Sequence, residues 1–374
     1  MRILVYLPPN GRAVDQQSVM ALFINMGYEV YLLTHLPEGD LHKNAARYGV
    51  KTFSANLPDT SGISFYLNSI KYLKYFIKTH NIDVVFAHLQ SAGIVAGVAR
   101  KLTSFRFFYV RHNTDEHRLQ ANRKGIILNW LANKLSTKII APSEKVYRYI
   151  TEEEKIDKSK IIRINYGYDF MQYLETDRSG IADTIRKQFP CRLLVISVAR
   201  LLPVKRHLLM FEVITRLVKK NMDIKMICLG DGPSANELKE FIHSSNMEQN
   251  IFLLGSRKNV FDYLEAANVF FHLSLSEASN SAVKEAGYCK KPSIVCTNVG
   301  DFDDYIKNGI NGFIVEKENP ADDAENILTR LYNNPEQLKL LGENIHQTIV
   351  EEFDINNVRS KYEQILDNKI TDVN

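Results

Sequence analysis

Residues 269–296 read VFFHLSLSEASNSAVKEAGYCKKPSIVC. VFFHLSL is a continuous apolar run of strand length, SEASN is a polar turn of small residues, a helical stretch begins near Asn280, and PSIVC is apolar again. Strand, turn, helix and strand in immediate succession form the βα repeat of a parallel sheet. Two carboxylates sit on this unit, Glu277 and Glu285, with seven residues between them. Glu277 falls at the carboxyl end of a strand, where open parallel sheets bind ligands. Glu285 lies about one and a half turns into the helix, so its side chain points partly back toward the same crevice. In a chain with 43 acidic residues such a spacing also arises on solvated helix faces. The strand-end position is what favours a ligand.

Upstream, VARLLPVKRH (198–207) places Arg200 and Lys205 in another strand-to-helix loop. The helix that follows adds free backbone N–H groups and a partial positive charge, so three contributions to anion binding coincide there. An Arg–Lys pair suits a pyrophosphate, and a carboxylate at a helix start suits ribose or sugar hydroxyls. A basic surface cluster is the plain alternative. Taken with Glu277 and Glu285, the four residues point to a nucleotide-sugar site.

The chain has 374 residues, more than one core usually serves, which implies two domains of about 150 to 200 residues. At 45% apolar and 24% charged, it has the composition of a soluble globular protein, and no run approaches the roughly 20 apolar residues of a membrane span. MRILVYLPPN reads as a first strand rather than a signal peptide, giving a cytoplasmic expectation. Strands are expected at RILVY, EVYLL, KTFSA, VVFAH, RFFYVRH, KIIAPS and KIIRIN, then at RLLVISVAR, IKMICLG, IFLLG, VFFHLSL, PSIVC and GFIVE, with helical patterns between them. The polar stretch 171–190, closed by Pro190, reads as a linker. It separates a domain over 1–170 from one over 191–353, and the last helix, about 354–374, is expected to pack back on the first.

Several other signals are weaker. LGDGPSANELKEF carries Gly230, Gly232 and Ala235 in the GxGxxA spacing. A dinucleotide-binding domain should show an acid about 20 residues on, where this chain reads LLGSR, so the glycines are assigned to a tight βα turn. Asp301 and Asp303 form a DxD that could ligate a divalent metal, but acids there equally open a helix, and no metal is expected. Cys191, Cys228, Cys289 and Cys296 lack metal-ligand spacing and read as buried free thiols. His112 ends a first-domain strand and faces the crevice by the strand-end rule. Ser143 in KIIAPSEKV reads as a helix cap.

Charge is uneven. Residues 1–170 hold 23 Lys and Arg against 14 Asp and Glu, whereas 171–374 hold 24 against 29. With ISFYLNSIKYLKYFIKTH (63–80), this suggests an anionic membrane surface as partner. In that reading Phe65, Leu73, Phe76 and Ile77 share one face, flanked by Lys71, Lys74 and Lys78 and joined by Trp130 and HRLQANRK. A core-facing helix with a solvated lysine edge is the competing reading.

In order and spacing, VARLLPVKRH, LGDGP, SEASNSAVKEA, GYCKKPSIVCTNVGDFDDYIKNGINGFIV, NGRAVDQQSVMALFINMGYEV, RHN, IIAPSEKV and INYGYD together resemble the retaining glycosyltransferases of family 4, over nearly the whole chain. The resemblance implies a GT-B fold, α/β, with two Rossmann-like parallel-sheet domains facing across a crevice. It implies transfer of a sugar from a nucleotide-diphosphate donor to a hydroxyl of a glycan or lipid-linked acceptor, in bacterial surface polysaccharide or glycolipid synthesis, without metal, cofactor or nucleic acid. Carried over by residue, it makes Arg200 and Lys205 the holders of the diphosphate and Glu285 the ribose ligand. Glu277 faces the donor sugar, Asn280 and Ser281 offer backbone amides, Gly11 and Gly230 line the donor loops, and His112 lines the acceptor side. Asp304 falls where the family commonly has Glu. The chain departs from the pattern at Asn10-Gly11, usually a glycine pair, and at Ala278, usually Gly. Asn10 is expected to narrow the space beside the donor phosphates.

Alternatives are a GT-B sugar-nucleotide epimerase, a phosphorylase or a non-catalytic sugar-nucleotide-binding subunit. An epimerase needs its own acid and base pair, and a phosphorylase needs a cofactor lysine and a longer chain. A binding-only subunit should have lost Glu277 or the Arg–Lys pair.

Overall fold

Among the described residues, thirteen strands form where the thirteen apolar runs stand, in two wholly parallel sheets. The structure, a computed structural model, describes residues 1–11, 13–57, 62–111, 122–170, 180–277 and 279–367. By internal contacts the chain divides into one unit of residues 1–169 with the helix Ile355–Asp367, and a second of residues 170–354.

The first unit holds β1 (Arg2–Leu7), β2 (Glu29–Thr34), β3 (Lys51–Ser54), β4 (Val84–His88), β5 (Arg106–Val110), β6 (Lys138–Ala141) and β7 (Ile161–Arg163), in the order β3-β2-β1-β4-β5-β6-β7. Helices cover both faces of such a sheet, which is why β4, VVFAH, is buried throughout while the edge strand β3 is not. The order reverses between β1 and β4, so the loops leaving these strands flank the switch point. The helix Ile355–Asp367 completes the unit. Tyr362 meets Phe23 edge-on at 5.4 Å, and Arg106 donates to the carbonyl oxygens of Ile365 and Leu366.

The helix Gly62–His80 corrects the membrane reading of its apolar face. Phe65, Leu73, Phe76 and Ile77 are all buried, and the last three join the core around Leu4, Tyr31 and Val85. The hydrophobic residues this helix exposes are Ile63, Leu67 and Tyr75. Among the described residues no helix is long and apolar enough to cross a membrane.

The second unit holds β8 (Leu193–Val198), β9 (Ile224–Leu229), β10 (Ile251–Leu253), β11 (Val269–His272), β12 (Ser293–Cys296) and β13 (Phe313–Val315), in the order β10-β9-β8-β11-β12-β13. Its switch point lies between β8 and β11, which pair through Val195–Val269 and Ile196–Phe270. Part of the stretch read as linker belongs to this unit as a helix, Ile181–Gln188. It packs on the helix Val260–Ala266, with Ile185 buried and Arg186 donating to Ala266 O at 3.1 Å and Asn268 Oδ1 at 2.7 Å. A single buried apolar residue gave too weak a periodicity to show this helix in advance. Of the four cysteines, all free, Cys228 and Cys296 are buried as expected, while Cys191 and Cys289 are half-buried. Ser143 caps the helix Glu144–Arg148, its Oγ accepting from Val146 N at 3.1 Å.

Candidate active site

The two strands that flank the switch point of the second unit deliver the site. The loop leaving β8 carries Arg200 and Lys205, and the loop leaving β11 carries Glu277. Backbone bonds zip these loops together: Leu275 N donates to Val204 O at 2.9 Å, and Ser274 Oγ to the same oxygen at 3.3 Å. Arg206, at a left-handed φ of 52°, turns inward and staples the β8 loop across neighbouring strand ends. Its guanidinium donates to Leu273 O and Lys317 O, both at 2.7 Å, and to Cys296 Sγ at 3.1 Å. Turning Arg206 inward leaves Lys205 to reach Glu277, 72 residues away in sequence, and the two form an ion pair. Arg200 is exposed, and among the described residues its guanidinium is unpaired.

Glu277 is held by more than Lys205. His272, the last residue of β11 and fully buried, places Nε2 2.7 Å from Glu277 Oε1 and 3.2 Å from Asn280 Nδ2. Burial pushes the Glu277 carboxyl up, but the His272 hydrogen bond and the Lys205 ammonium outweigh it and hold the group down at about 2. An ionised carboxylate only accepts, so the His272 proton is assigned to Nε2, which donates to Glu277. Asn280 Oδ1 accepts from Val283 N at 3.1 Å, capping the helix Ser281–Tyr288, and this orients Nδ2 toward His272. A protonated Nε2 has no lone pair for it, so Asn280 keeps its donors for a ligand. Both protein bonds to Glu277 go to Oε1; among the described residues Oε2 is open. The cluster offers the Lys205 ammonium, an open carboxylate oxygen and an amide donor at the switch point, with Arg200 exposed in the same loop as Lys205.

His207, behind this cluster at the start of the helix His207–Lys219, is held down at about 4 by burial, with smaller contributions from His272 and Lys205. It is neutral in the folded protein, so the unfolded chain binds its proton first as pH falls. Stability is therefore complete above the ordinary histidine value and declines from about pH 6.5 to pH 4, by roughly 3 kcal/mol in all. Thermal unfolding of the wild type and of His207→Leu across that range should show the shallower slope in the variant; equal slopes would refute this.

The remaining candidate residues take varied places. Ser281 opens the helix and is half-buried, and Glu285 is buried one turn further. Gly230, at φ 143°, lies where a Cβ would sit 1.9 Å from Ala199 O, so the loop after β9 presses directly on the backbone that carries Arg200. Asp301 and Asp303 face different partners: Asp301 Oδ2 accepts from Lys284 at 2.8 Å, and Asp303 accepts from Thr297 Oγ1 and Asn298 N. In the first unit Gly11 is exposed in the loop after β1, and neither backbone angle nor close contact demands glycine there. Asn10 turns its amide to Pro37 O at 2.7 Å, so its side chain is engaged with the neighbouring loop. His112 lies outside the described residues.

Three residues here escaped sequence reasoning: His272, Arg206 and Lys284. Each had a signal. His272 is a polar residue inside the run VFFHLSL, Arg206 follows Lys205 directly, and Lys284 sits in the apolar register of SAVKEA.

Comparison with known proteins agrees with this architecture. Residues 183–348 match the family described as Glycosyl transferases group 1, and residues 19–171 match the one described as Glycosyltransferase Family 4. An uncharacterized glycosyltransferase of Methanocaldococcus jannaschii is 26% identical over 346 residues, 91% of either chain. The UDP-Gal:alpha-D-GlcNAc-diphosphoundecaprenol alpha-1,3-galactosyltransferase of Escherichia coli is 26% identical over 303 residues, 77% of this chain and 76% of that one. The crystal structure of Anabaena Alr3699/HepE in complex with UDP superposes with a TM-score of 0.82 at 18% identity, covering 98% of this chain and 100% of that one. With two doubly wound parallel sheets and both halves matched, the chain belongs to the group 1, family 4 glycosyltransferases and has the GT-B fold.

Proposed function

We propose that this glycosyltransferase moves a hexosyl or related sugar from a uridine diphosphate donor to a hydroxyl of a lipid-linked glycan, with retention of anomeric configuration and without metal. The observation that carries the donor half is the ion pair of Lys205 with Glu277 Oε1, which leaves Oε2 open, in the same strand-end loop as the exposed Arg200 at the switch point of one sheet. Arg200 and Lys205 neutralise the diphosphate, Glu277 and Asn280 take sugar hydroxyls, and Glu285 takes the ribose. The uridine nucleotide is supported by the Escherichia coli relative, a UDP-Gal-dependent galactosyltransferase, and by the Anabaena structure in complex with UDP, and the lipid-linked acceptor by the former.

In the reaction the bond from the anomeric carbon to the diphosphate oxygen breaks while the acceptor oxygen bonds to that carbon on the same face. The acceptor proton passes to the departing phosphate oxygen, so the products are the glycoside and the nucleoside diphosphate. Charge grows on the diphosphate as its bond loosens, and the fixed cations stabilise it there. The test is incubation with a panel of UDP- and GDP-sugars in excess chelator, following slow donor hydrolysis. Turnover of a UDP-sugar is expected to persist under chelator. Loss with rescue by Mg²⁺ or Mn²⁺ would overturn metal independence, and turnover of GDP-sugars alone would overturn the uridine assignment.

Contact with an anionic membrane is a second element of the reading; it keeps Lys71, Lys78, Trp130, Arg123 and Lys124 and replaces the buried Phe65, Leu73, Phe76 and Ile77 with exposed apolar residues. The helices Gly62–His80 and Arg123–Leu135 both start at the end of the sheet where strands terminate, and both pack on the helix Gln90–Arg100. Their exposed residues include Ile63, Leu67, Ile126, Ile127 and Trp130, with Lys71, Lys78, Arg123, Lys124 and Lys134 exposed on the same two helices. Each surface cation near an anionic bilayer contributes about 1 kcal/mol, enough in sum for salt-sensitive binding. Co-sedimentation with anionic vesicles is expected at low salt and to weaken at high salt; equal recovery with neutral vesicles would dismiss the membrane.

A further inference from the structure

Lys284 is fully buried on the helix Ser281–Tyr288, and Asp301, 2% exposed, receives its ammonium at 2.8 Å. Neither group reaches solvent. The other two contacts of the ammonium both go to the stretch that leads from Glu277 into the helix: Ser279 Oγ at 2.9 Å and Asn280 O at 3.4 Å. Ser279 Oγ in turn donates to Asp301 Oδ2 at 2.6 Å, closing a triangle. The ammonium otherwise faces the rings of Tyr305, 5.0 Å away, and Phe353, 4.7 Å away.

Stability alone is a poor reason for this arrangement. Buried ion pairs are often replaced by apolar residues of similar volume without loss, because desolvation offsets the attraction. Moreover, Asp301 Oδ1 and the Tyr305 hydroxyl are buried without a hydrogen-bond partner among the described residues, which adds cost. What the charges do achieve is geometric. They fix Ser279 and Asn280 from beneath, and Asn280 is both the cap of the helix and the neighbour of His272, which holds Glu277.

We propose that Lys284, Asp301 and Ser279 form a buried clamp that sets the conformation of the Ser279–Asn280 turn, making them positioning residues for the donor-sugar subsite. The clamp acts through Asn280 and Glu277, and so rests on the donor assignment above. Its effect on the turn itself does not depend on that assignment. The cap bond from Val283 N to Asn280 Oδ1 reports it directly, because loosening Asn280 frees that amide for exchange.

The experiment compares the wild type with Lys284→Met/Asp301→Asn, which removes both charges together, and with Ser279→Ala, which removes only the hydroxyl link. Two quantities are read in the full chain: amide exchange at Val283 in the ligand-free protein, and steady-state kinetics with the UDP-sugar that the panel identifies. Both variants are expected to melt within a few degrees of wild type, to exchange at Val283 at least ten times faster, and to raise donor KM about tenfold with a smaller change in kcat. Wild-type exchange and wild-type donor KM in both variants would overturn the clamp. If the double variant fails to fold, Ser279→Ala decides by the same criteria. If the wild type turns over no nucleotide sugar, the donor assignment falls and the Val283 exchange alone decides the clamp.

Discussion

Replacing Arg200 or Lys205 by Ala is expected to lower kcat by about a hundredfold or more, equivalent to roughly 2.7 kcal/mol of lost transition-state stabilisation. The two variants should differ in stability. Arg200 is exposed with an unpaired guanidinium among the described residues, so its removal should leave the melting temperature unchanged. Lys205 is half-buried against Glu277, and its loss strips one partner from a carboxylate that His272 still holds, so a fall of a few degrees is expected. Steady-state kinetics with the preferred UDP-sugar, beside thermal unfolding, checks both. Near-normal kcat in both variants would remove the phosphate site from this loop.

Gly230→Ala should be the most damaging single-methyl change in the second unit. At φ 143° an L side chain is strained, and its Cβ would stand 1.9 Å from Ala199 O and 2.8 Å from Ala199 C, both backbone atoms that cannot swing aside. Relief requires the β8 loop to move, against the bonds from Ala199 N to Leu229 O and from Leu201 N to Asp231 O. A cost of roughly 3 to 5 kcal/mol is expected, lowering the melting temperature by about 10 °C. Because the displaced backbone carries Arg200, activity measured below the transition should also fall, by about tenfold. A variant with wild-type melting and kcat would show that the close approach does not constrain the site.

The same glycine shows how far sequence reading extends. LGDGP, placed between a strand and a helix, was enough to assign Gly230 to a tight turn. That the turn presses on the Arg200 backbone depends on β9 lying beside β8, a pairing that no local spacing encodes. The apolar runs likewise determined the thirteen strands, since a strand buried on both faces must be apolar almost throughout. The helix Gly62–His80 marks the limit: its sequence offers an apolar face beside lysines, but whether core or lipid covers that face depends on what the sheet places against it.

By itself the sequence determined the α/β class and the two-part organisation, and it nominated Arg200, Lys205, Glu277 and Glu285 as candidate site residues, because strand-end loops and charged residue types are local properties. Only the tertiary structure decided which partners those residues have. Glu277 meets Lys205 across 72 residues, and Lys284 meets Asp301 across 17, through strand order rather than sequence proximity. Hydrogen bonds and ion pairs act over a few ångströms, so their partners follow from the folded arrangement of the sheet and not from the order of the chain.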